Sequence, residues 1–294
     1  MTTASTTAPL PLDLDAFHRR GYAVVEGLFS AHEVQQLRTR VREAVAAAER
    51  EDRIAIESGP EGSIRVCAGD LLSNPRLRSV LLDERLQAVV RELLGGQPQY
   101  FGDSSARIGR YGMRGWHRDC VNRRRWRGGP DWQGEYPVVR CGLYLQDSSR
   151  HSGGLALRPG SHRPGRLRPT LPKLVDARAG DLIVWVLRTV HSAEAVRMRG
   201  LPHLVLPPRL QTRLPQRLRV PEDGERIVMF MTFGLEGSHL QHYIDYLKTR
   251  DYMQTSWAAS SFEPEVWEQA QRAGLQVLRP VPAYGAPAVN RIPV

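Results

Sequence analysis

Two histidines and one carboxylate are spaced in this chain so that they can hold a metal ion. In the segment GWHRDC, His117 and Asp119 stand two residues apart. In extended backbone, side chains at i and i+2 leave the same face, so an imidazole and a carboxylate here can share one ion. Alone, the pattern is common, and a surface ion pair is its ordinary meaning. A second segment gives it weight: in AGDLIVWVLRTVH at 179–191, Gly180-Asp181 turns into the apolar run Leu182 to Leu187, and His191 arrives just beyond. A histidine at a strand's end can face a barrel mouth. Two histidines and a carboxylate on one face of a metal leave three adjacent positions open, which suits Fe(II) and dioxygen chemistry. Two of those positions fit the keto and carboxylate oxygens of a 2-oxo acid, and the third fits dioxygen.

Other candidates carry less. His239 and His242 form an HxxH pair on an expected helix, spaced to share a face, but with no acidic third partner in sight they read as a solvated surface. Cys120 follows the HxD segment directly and reads as a bystander near the metal. There is no G-x-S-x-G elbow, phosphate-binding loop or GxGxxG fingerprint, which removes the common hydrolase, nucleotidase and dinucleotide readings.

The elements around these residues fall into a helical and a β-rich part. Residues 13–20 read as a short helix around Phe17 ended by Gly21, and Tyr22 to Val25 as a short strand. Ser30 with Glu33 is a capping box, and Val34, Leu37, Val41 and Val45 follow it at helical spacing. Asn74-Pro75 opens one or two further helices that stop at Gly95-Gly96. The first third is therefore expected to be mostly helical. From about residue 99, short β-like runs follow at 99–110, 138–146, 154–158, 181–187 and 226–233. Crossover helices between them are missing, which favours a jelly roll over a doubly wound parallel sheet. Long interruptions at 120–136 and 197–222 flank the metal motif, and helices return near 238–250 and 263–273. We expect a tail at 1–12 and one domain over 13–294, with a helical part at 13–97, a jelly-roll core at 98–236 and a C-terminal helical extension at 237–294.

Composition narrows the setting. At 294 residues with 41% apolar and 24% charged side chains, the chain suits a soluble globular protein. No apolar run is long enough to span a membrane, and the N-terminus lacks the basic start and apolar middle of a secretory signal. Cys67, Cys120 and Cys141 form no CxxC pair and are odd in number, which points to a reducing compartment, and we expect the cytoplasm. The net charge of +10 suggests nucleic acid, but Lys173 and Lys248 are the only lysines among 41 basic residues. So strong a bias to arginine looks like GC-rich coding, and no nucleic-acid partner is expected. The sequence is silent on oligomeric state.

Taken in order, the segments FHRRGYAVVEGLFSAHEVQQLRTRV, WHRDC, GLYLQDSSRHSGGLALRPGSH, AGDLIVWVLRTVH and ERIVMFMTFG resemble the phytanoyl-CoA dioxygenase-like branch of the Fe(II)/2-oxoglutarate oxygenases, over roughly residues 15–236. The resemblance implies a mainly β fold with helical flanks, a double-stranded β-helix of the cupin-like jelly-roll kind with N-terminal helices packed on it. It implies His117, Asp119 and His191 as ligands of Fe(II), with 2-oxoglutarate and dioxygen as cosubstrates. An arginine at the start of the last core strand holds the far carboxylate of 2-oxoglutarate in the family, and Arg226 matches it. Here, however, His191 and Arg226 stand 35 positions apart, where the family keeps the pair close, so Arg197 and Arg199 are rivals. Tyr144 shares strand parity with Arg140 and Gly142 on what the resemblance suggests is the inward face, and it is a second candidate for the cosubstrate. Trp126, Trp132 and Arg140 are candidates for the substrate, which the arginines and aromatics of the insertions suggest is polar or anionic, ring-bearing or carrier-linked. RPGSH, with His162, matches a structural turn. Retention of Asp119 argues against halogenating relatives, which replace this carboxylate. The implied activity is hydroxylation of a small molecule in bacterial secondary metabolism, such as antibiotic biosynthesis. Acyl-CoA or amino-acid hydroxylation, or a metal-binding cupin-like protein with no oxygenase activity, are the alternatives.

Overall fold

The computed structural model describes residues 12–112, 115–164, 170–262 and 264–278. Its helices are α1 (Leu14–Arg20), α2 (Ala31–Arg50), α3 (Arg78–Leu81), α4 (Glu84–Leu94), α5 (Pro208–Gln211), α6 (Ser238–Lys248), α7 (Asp251–Ala258) and α8 (Pro264–Arg272). Its strands are β1 (Tyr22–Val25), β2 (Ile54–Gly59), β3 (Gly62–Cys67), β4 (Gln99–Gly109), β5 (Val138–Tyr144), β6 (Gly154–Leu157), β7 (Lys173–Leu174), β8 (Leu182–Val186), β9 (His191–Ala195), β10 (Ile227–Gly234) and β11 (Gln276–Val277).

Local chemistry sets the helix limits. At α2 the capping box forms both ways: the Glu33 amide donates to Ser30 Oγ at 3.3 Å and the Ser30 amide to Glu33 Oε2 at 2.7 Å. Gly21 and Gly95 end α1 and α4 in the left-handed conformation, at φ +79° and +69°. Val34, Leu37, Val41 and Val45 of α2 are buried as one stripe.

The strands form two sheets. The larger runs β1-β8-β5-β10-β4-β3-β2 with β11 added along β4, and the smaller runs β7-β6-β9. Every pairing except β11 with β4 is antiparallel. Alternation along β5 divides the interior. Val139, Cys141 and Leu143 join the helices in the main core, while Tyr144 packs with Leu155, Leu157, Ile183 and Trp185 in a second core between the sheets. Register places Arg140 opposite Thr232 of β10 and Trp185 of β8, so these three share the inner face. Gly142 lies between aromatics on that face, where an added Cβ would come within 3.1 Å of both Trp185 and Tyr144.

This is the mainly β, helix-flanked jelly roll read from the sequence, with three differences. The helical first third also holds the hairpin β2–β3, which pairs through β3 with β4 and widens the larger sheet. Few of its residues are fully buried and they alternate weakly, so the pairing partner, not its own pattern, makes it a strand. His191 opens strand β9 after a turn instead of trailing β8. Finally, β11 adds a parallel strand that no apolar run announced. The 197–222 insertion carries α5 and is fastened by Arg219, whose Nη1 reaches Glu61 Oε1 of the hairpin turn at 2.8 Å and whose Nη2 donates to the Gln211 carbonyl at 2.9 Å.

Candidate metal centre

A two-residue ladder sets the metal motif. The His117 and His191 amides each donate to the other's carbonyl at 3.0 Å, and the Asp119 amide donates to the Leu187 carbonyl at 3.0 Å. That pairing holds residues 117–119 extended against the turn before β9, so His117 and Asp119 project to one side and meet His191. The ligand atoms of the three residues lie within 4.8 Å of one another. His117 Nε2 is 3.7 Å from Asp119 Oδ1, and His191 Nε2 is 3.4 Å from Asp119 Oδ2. Adjacent ligand atoms around an octahedral ion with bonds of about 2.1 Å stand about 3 Å apart, so the trio needs only small adjustment to close on one ion.

The donor set fits. Each imidazole is oriented through Nδ1, which lies 3.0 Å from a backbone carbonyl, Gly115 for His117 and Thr189 for His191. A Nδ1–H donated there leaves Nε2 as the free lone pair, as in histidines that ligate metals. The Asp119 carboxylate is buried with no hydrogen bond to Oδ2, which has only Arg140 Nη1 at 3.5 Å and His191 Nε2 at 3.4 Å near it, so the group keeps capacity for a cation. Burial lowers the His191 ring to about 4 although Asp119 pulls it upward, so the ring is neutral near pH 7. For Asp119, burial works to raise the carboxyl, but its interactions with His191, which is charged only in acid, with Arg140 and with His117 hold it well below the usual carboxylate range.

The trio opens into a cavity of about 310 Å³ whose walls include Trp185, Leu155, Phe230, Arg140 and Arg226. Arg226 is 3% exposed. Its Nε donates to the Gly153 carbonyl at 3.3 Å, its Nη1 has no hydrogen-bond partner, and Glu194 Oε1 lies 3.7 Å from Nη1. The guanidinium sits 5.9 Å from the Tyr144 ring centre, and the Tyr144 hydroxyl is likewise buried without a partner. Burial pushes that hydroxyl up to about 12 despite the nearby Arg226 charge, so it is a donor at neutral pH. An arginine and a tyrosine hydroxyl with unused donors therefore lie together beside the cavity.

The rivals sit elsewhere. Arg197 Nε donates to the Ser148 carbonyl at 3.1 Å while Nη2 pairs with Asp176, and Arg199 Nε donates to the Arg219 carbonyl at 3.0 Å. Both brace loops, and neither lines the metal cavity.

The tryptophans proposed for the substrate are not in that cavity either. Trp132 is buried, donates from Nε1 to the Asn122 carbonyl at 2.6 Å, and packs against the guanidiniums of Arg118 and Arg188. It pins the 120–136 insertion to the body. Trp126 is 79% exposed and away from the cavity wall. Arg140 does line the cavity, but its guanidinium is committed to Asp103, Thr232 and Tyr243. The HxxH pair is not simply solvated: His242 Nδ1 is 3.1 Å from Asp131 Oδ1 and His239 packs on Tyr136, so both hold the same insertion. His162 is buried with Nε2 3.1 Å from the His18 carbonyl, a structural contact as read.

Glu194 escaped notice in the sequence. It is buried at φ +58°, and its Oε2 accepts from the Tyr111 and Gly112 amides at 2.8 and 2.6 Å, on the segment that leads to His117. A glutamate in left-handed backbone is uncommon and strained, but nothing in its local sequence announces that conformation.

The fold is a double-stranded β-helix that brings two histidines and one carboxylate together as a candidate metal centre. The phytanoyl-CoA dioxygenase (PhyH) family model matches residues 17–200, and the chain belongs to that family. It is 32% identical over 171 residues to the ectoine dioxygenase of Stutzerimonas stutzeri (strain A1501), a match over 53% of this chain and 52% of that protein. The chain thus spans about half the length of the curated relative it matches. Among solved structures, it is similar to SnoK, a non-heme alpha ketoglutarate dependent carbocyclase from nogalamycin biosynthesis, with a TM-score of 0.54, 19% identity and 75% and 82% of the two chains covered. It is also similar to EctD from S. alaskensis with 2-oxoglutarate and 5-hydroxyectoine bound, with a TM-score of 0.50, 19% identity and 79% of each chain covered. At these identities the likeness is one of fold.

Proposed function

We propose that this chain is an Fe(II)- and 2-oxoglutarate-dependent oxygenase that hydroxylates an unactivated C–H bond of a small molecule in bacterial secondary metabolism. The observation that carries the reading is the convergence of His117, Asp119 and His191 on a cavity whose wall also holds Arg226 with an unused donor. His117 Nε2, His191 Nε2 and the Asp119 carboxylate hold Fe(II). Fe(II) held there would, with 2-oxoglutarate and dioxygen, supply the oxidising power for such a bond, with succinate and carbon dioxide as coproducts.

The remaining tasks belong to the protein. Arg226 takes the far carboxylate of 2-oxoglutarate, because a planar guanidinium offers two parallel donors where an ammonium offers a point charge. Tyr144 donates its hydroxyl to the same carboxylate. Trp185, Leu155 and Phe230 give the cavity an apolar wall that limits water. A retained Asp119 leaves no ligand position for halide.

The cavity also limits the substrate. At about 310 Å³ it is at the small end of ligand pockets, and it takes the cosubstrate as well. The part of the substrate that reaches the metal is therefore small. Similarity to an ectoine dioxygenase favours a group of ectoine's kind there, and a larger or carrier-linked body would extend out of the cavity past its exposed lining residue Tyr252.

The test is succinate formation by apoprotein loaded anaerobically with Fe(II), then given 2-oxoglutarate and air, with His117→Ala as control. Slow succinate release above the control without added substrate supports the reading. Absence of succinate, with no 2-oxoglutarate binding to the metal-loaded protein, would move the assignment to a metal-binding cupin-like protein.

A further inference from the structure

We propose that Arg140 is the positioning residue for Asp119, held in that task by Asp103, Thr232 and the α6 residue Tyr243. This rests on the metal centre proposed above. The contacts are specific. Arg140 Nη2 donates to Asp103 Oδ2 at 2.6 Å and to Tyr243 Oη at 3.2 Å, and its Nε donates to Thr232 Oγ1 at 3.1 Å. Tyr243 closes the arrangement by donating to the same Asp103 oxygen at 3.0 Å. These partners come from β4, β10 and α6, so the guanidinium is fixed from three directions. What they leave is Nη1, which lies 3.5 Å from Asp119 Oδ2. That oxygen is buried, has no hydrogen bond of its own, and also has His191 Nε2 at 3.4 Å.

A carboxylate can give a metal one oxygen or two. Three protein ligand atoms leave three positions for cosubstrate and dioxygen, and a second oxygen from Asp119 would take one of them. A guanidinium fixed beside Oδ2 competes for that oxygen and holds the carboxylate to one orientation. Arginine suits the task because its rigid fork serves three partners while presenting a fourth donor, which lysine does not match. Sheet register explains the placement, since Arg140 lies opposite Thr232 and Trp185 on the inner face. Two of the braces, Thr232 and Tyr243, lie beyond residues 17–200 that match the family model. The C-terminal helices thus have a bearing on the metal ligand, not only on the outer core.

The experiment loads full-length apoprotein anaerobically with Co(II) and records its visible ligand-field spectrum, then titrates 2-oxoglutarate, for the parent, Arg140→Met, Arg140→Lys and Tyr243→Phe. Melting of the metal-free proteins reports folding. In Arg140→Met the cobalt spectrum is expected to shift before any cosubstrate is added, and 2-oxoglutarate affinity to fall about tenfold or more. Cobalt itself should still bind, because all three ligands are intact. Tyr243→Phe should move both readouts the same way by a smaller amount, and Arg140→Lys should recover them only in part. A folded Arg140→Met with the parent's spectrum and cosubstrate affinity overturns the proposal. Should Arg140→Met not fold, Tyr243→Phe decides, and unchanged readouts there overturn the bracing role. If the parent and His117→Ala give the same cobalt spectrum, the metal centre itself is wrong, a different failure from loss of the Arg140 effect.

Discussion

Replacing Arg226 by lysine separates the cosubstrate role from the fold. The guanidinium is 3% exposed, and Glu194, 5% exposed, stands 3.7 Å from it. Alanine would strand a buried carboxylate, a change that costs several kcal/mol in folding and hides any effect on binding. Lysine keeps a positive charge facing Glu194 and removes the planar fork. One charge-assisted hydrogen bond to the cosubstrate is then lost, about 1.5–3 kcal/mol, which corresponds to a rise in Kd of roughly 10- to 150-fold. The assay is calorimetric titration of 2-oxoglutarate into anaerobic Ni(II)-loaded protein, with Arg197→Lys in parallel. Arg197 is tied to Ser148, His151 and Asp176 away from the cavity, so its replacement should lower the melting temperature and leave cosubstrate Kd within about twofold, a change of about 0.4 kcal/mol. Unchanged affinity in Arg226→Lys together with weakened binding in Arg197→Lys would refute the assignment.

Three further outcomes follow from the structure. Burial pushes the Asp70 carboxyl up to about 6, against hydrogen bonds from Ser104, Tyr100 and the Leu72 amide that favour the anion. The native chain therefore holds that proton more tightly than the unfolded chain. The resulting stabilisation is complete below about 3.8 and lost as pH rises through about 6. Asp70→Asn should thus gain on the parent between pH 4 and pH 7.5, by at most about 3 kcal/mol, and parallel denaturant melts showing a constant gap would contradict this. Trp132→Phe removes the bond to the Asn122 carbonyl and weakens the stacking of Arg118 and Arg188. It should cost about 1–2 kcal/mol of stability with substrate and cosubstrate KM unchanged, and the exposed Trp126→Ala should alter neither; raised KM in either variant would return these residues to the substrate site. Glu61 pairs with both Arg110 and Arg219 at 2.8 Å. Neutralising it in Glu61→Gln should loosen the 197–222 insertion by about 1 kcal/mol and speed tryptic cleavage there about fivefold; an unchanged cleavage rate argues that other contacts hold the insertion.

The sequence by itself determined the parts whose signals are local. The capping box at Ser30 and Glu33, the stripe of α2, the stops at Gly21 and Gly95 and the runs that become β4, β5, β6, β8 and β10 each need only neighbouring residues to be read. So does the two-residue spacing of His117 and Asp119, because backbone geometry carries that relation within one segment. The tertiary structure alone decided relations across the chain. Arg226 rather than Arg197 reaches the cavity because β10 pairs with β4 and β5 at a register that no count of residues from His191 reveals. Trp132 became a pin because its partners, Arg118 and Arg188, are 70 residues apart. The hairpin β2–β3 is a strand pair because β4 offers it an edge. Arg140 turned from a substrate candidate into a neighbour of Asp119 because α6 brings Tyr243 back across the sheet. A sequence window reports what a residue prefers, whereas hydrogen-bond partners, charge pairing and burial are fixed only when distant segments pack together.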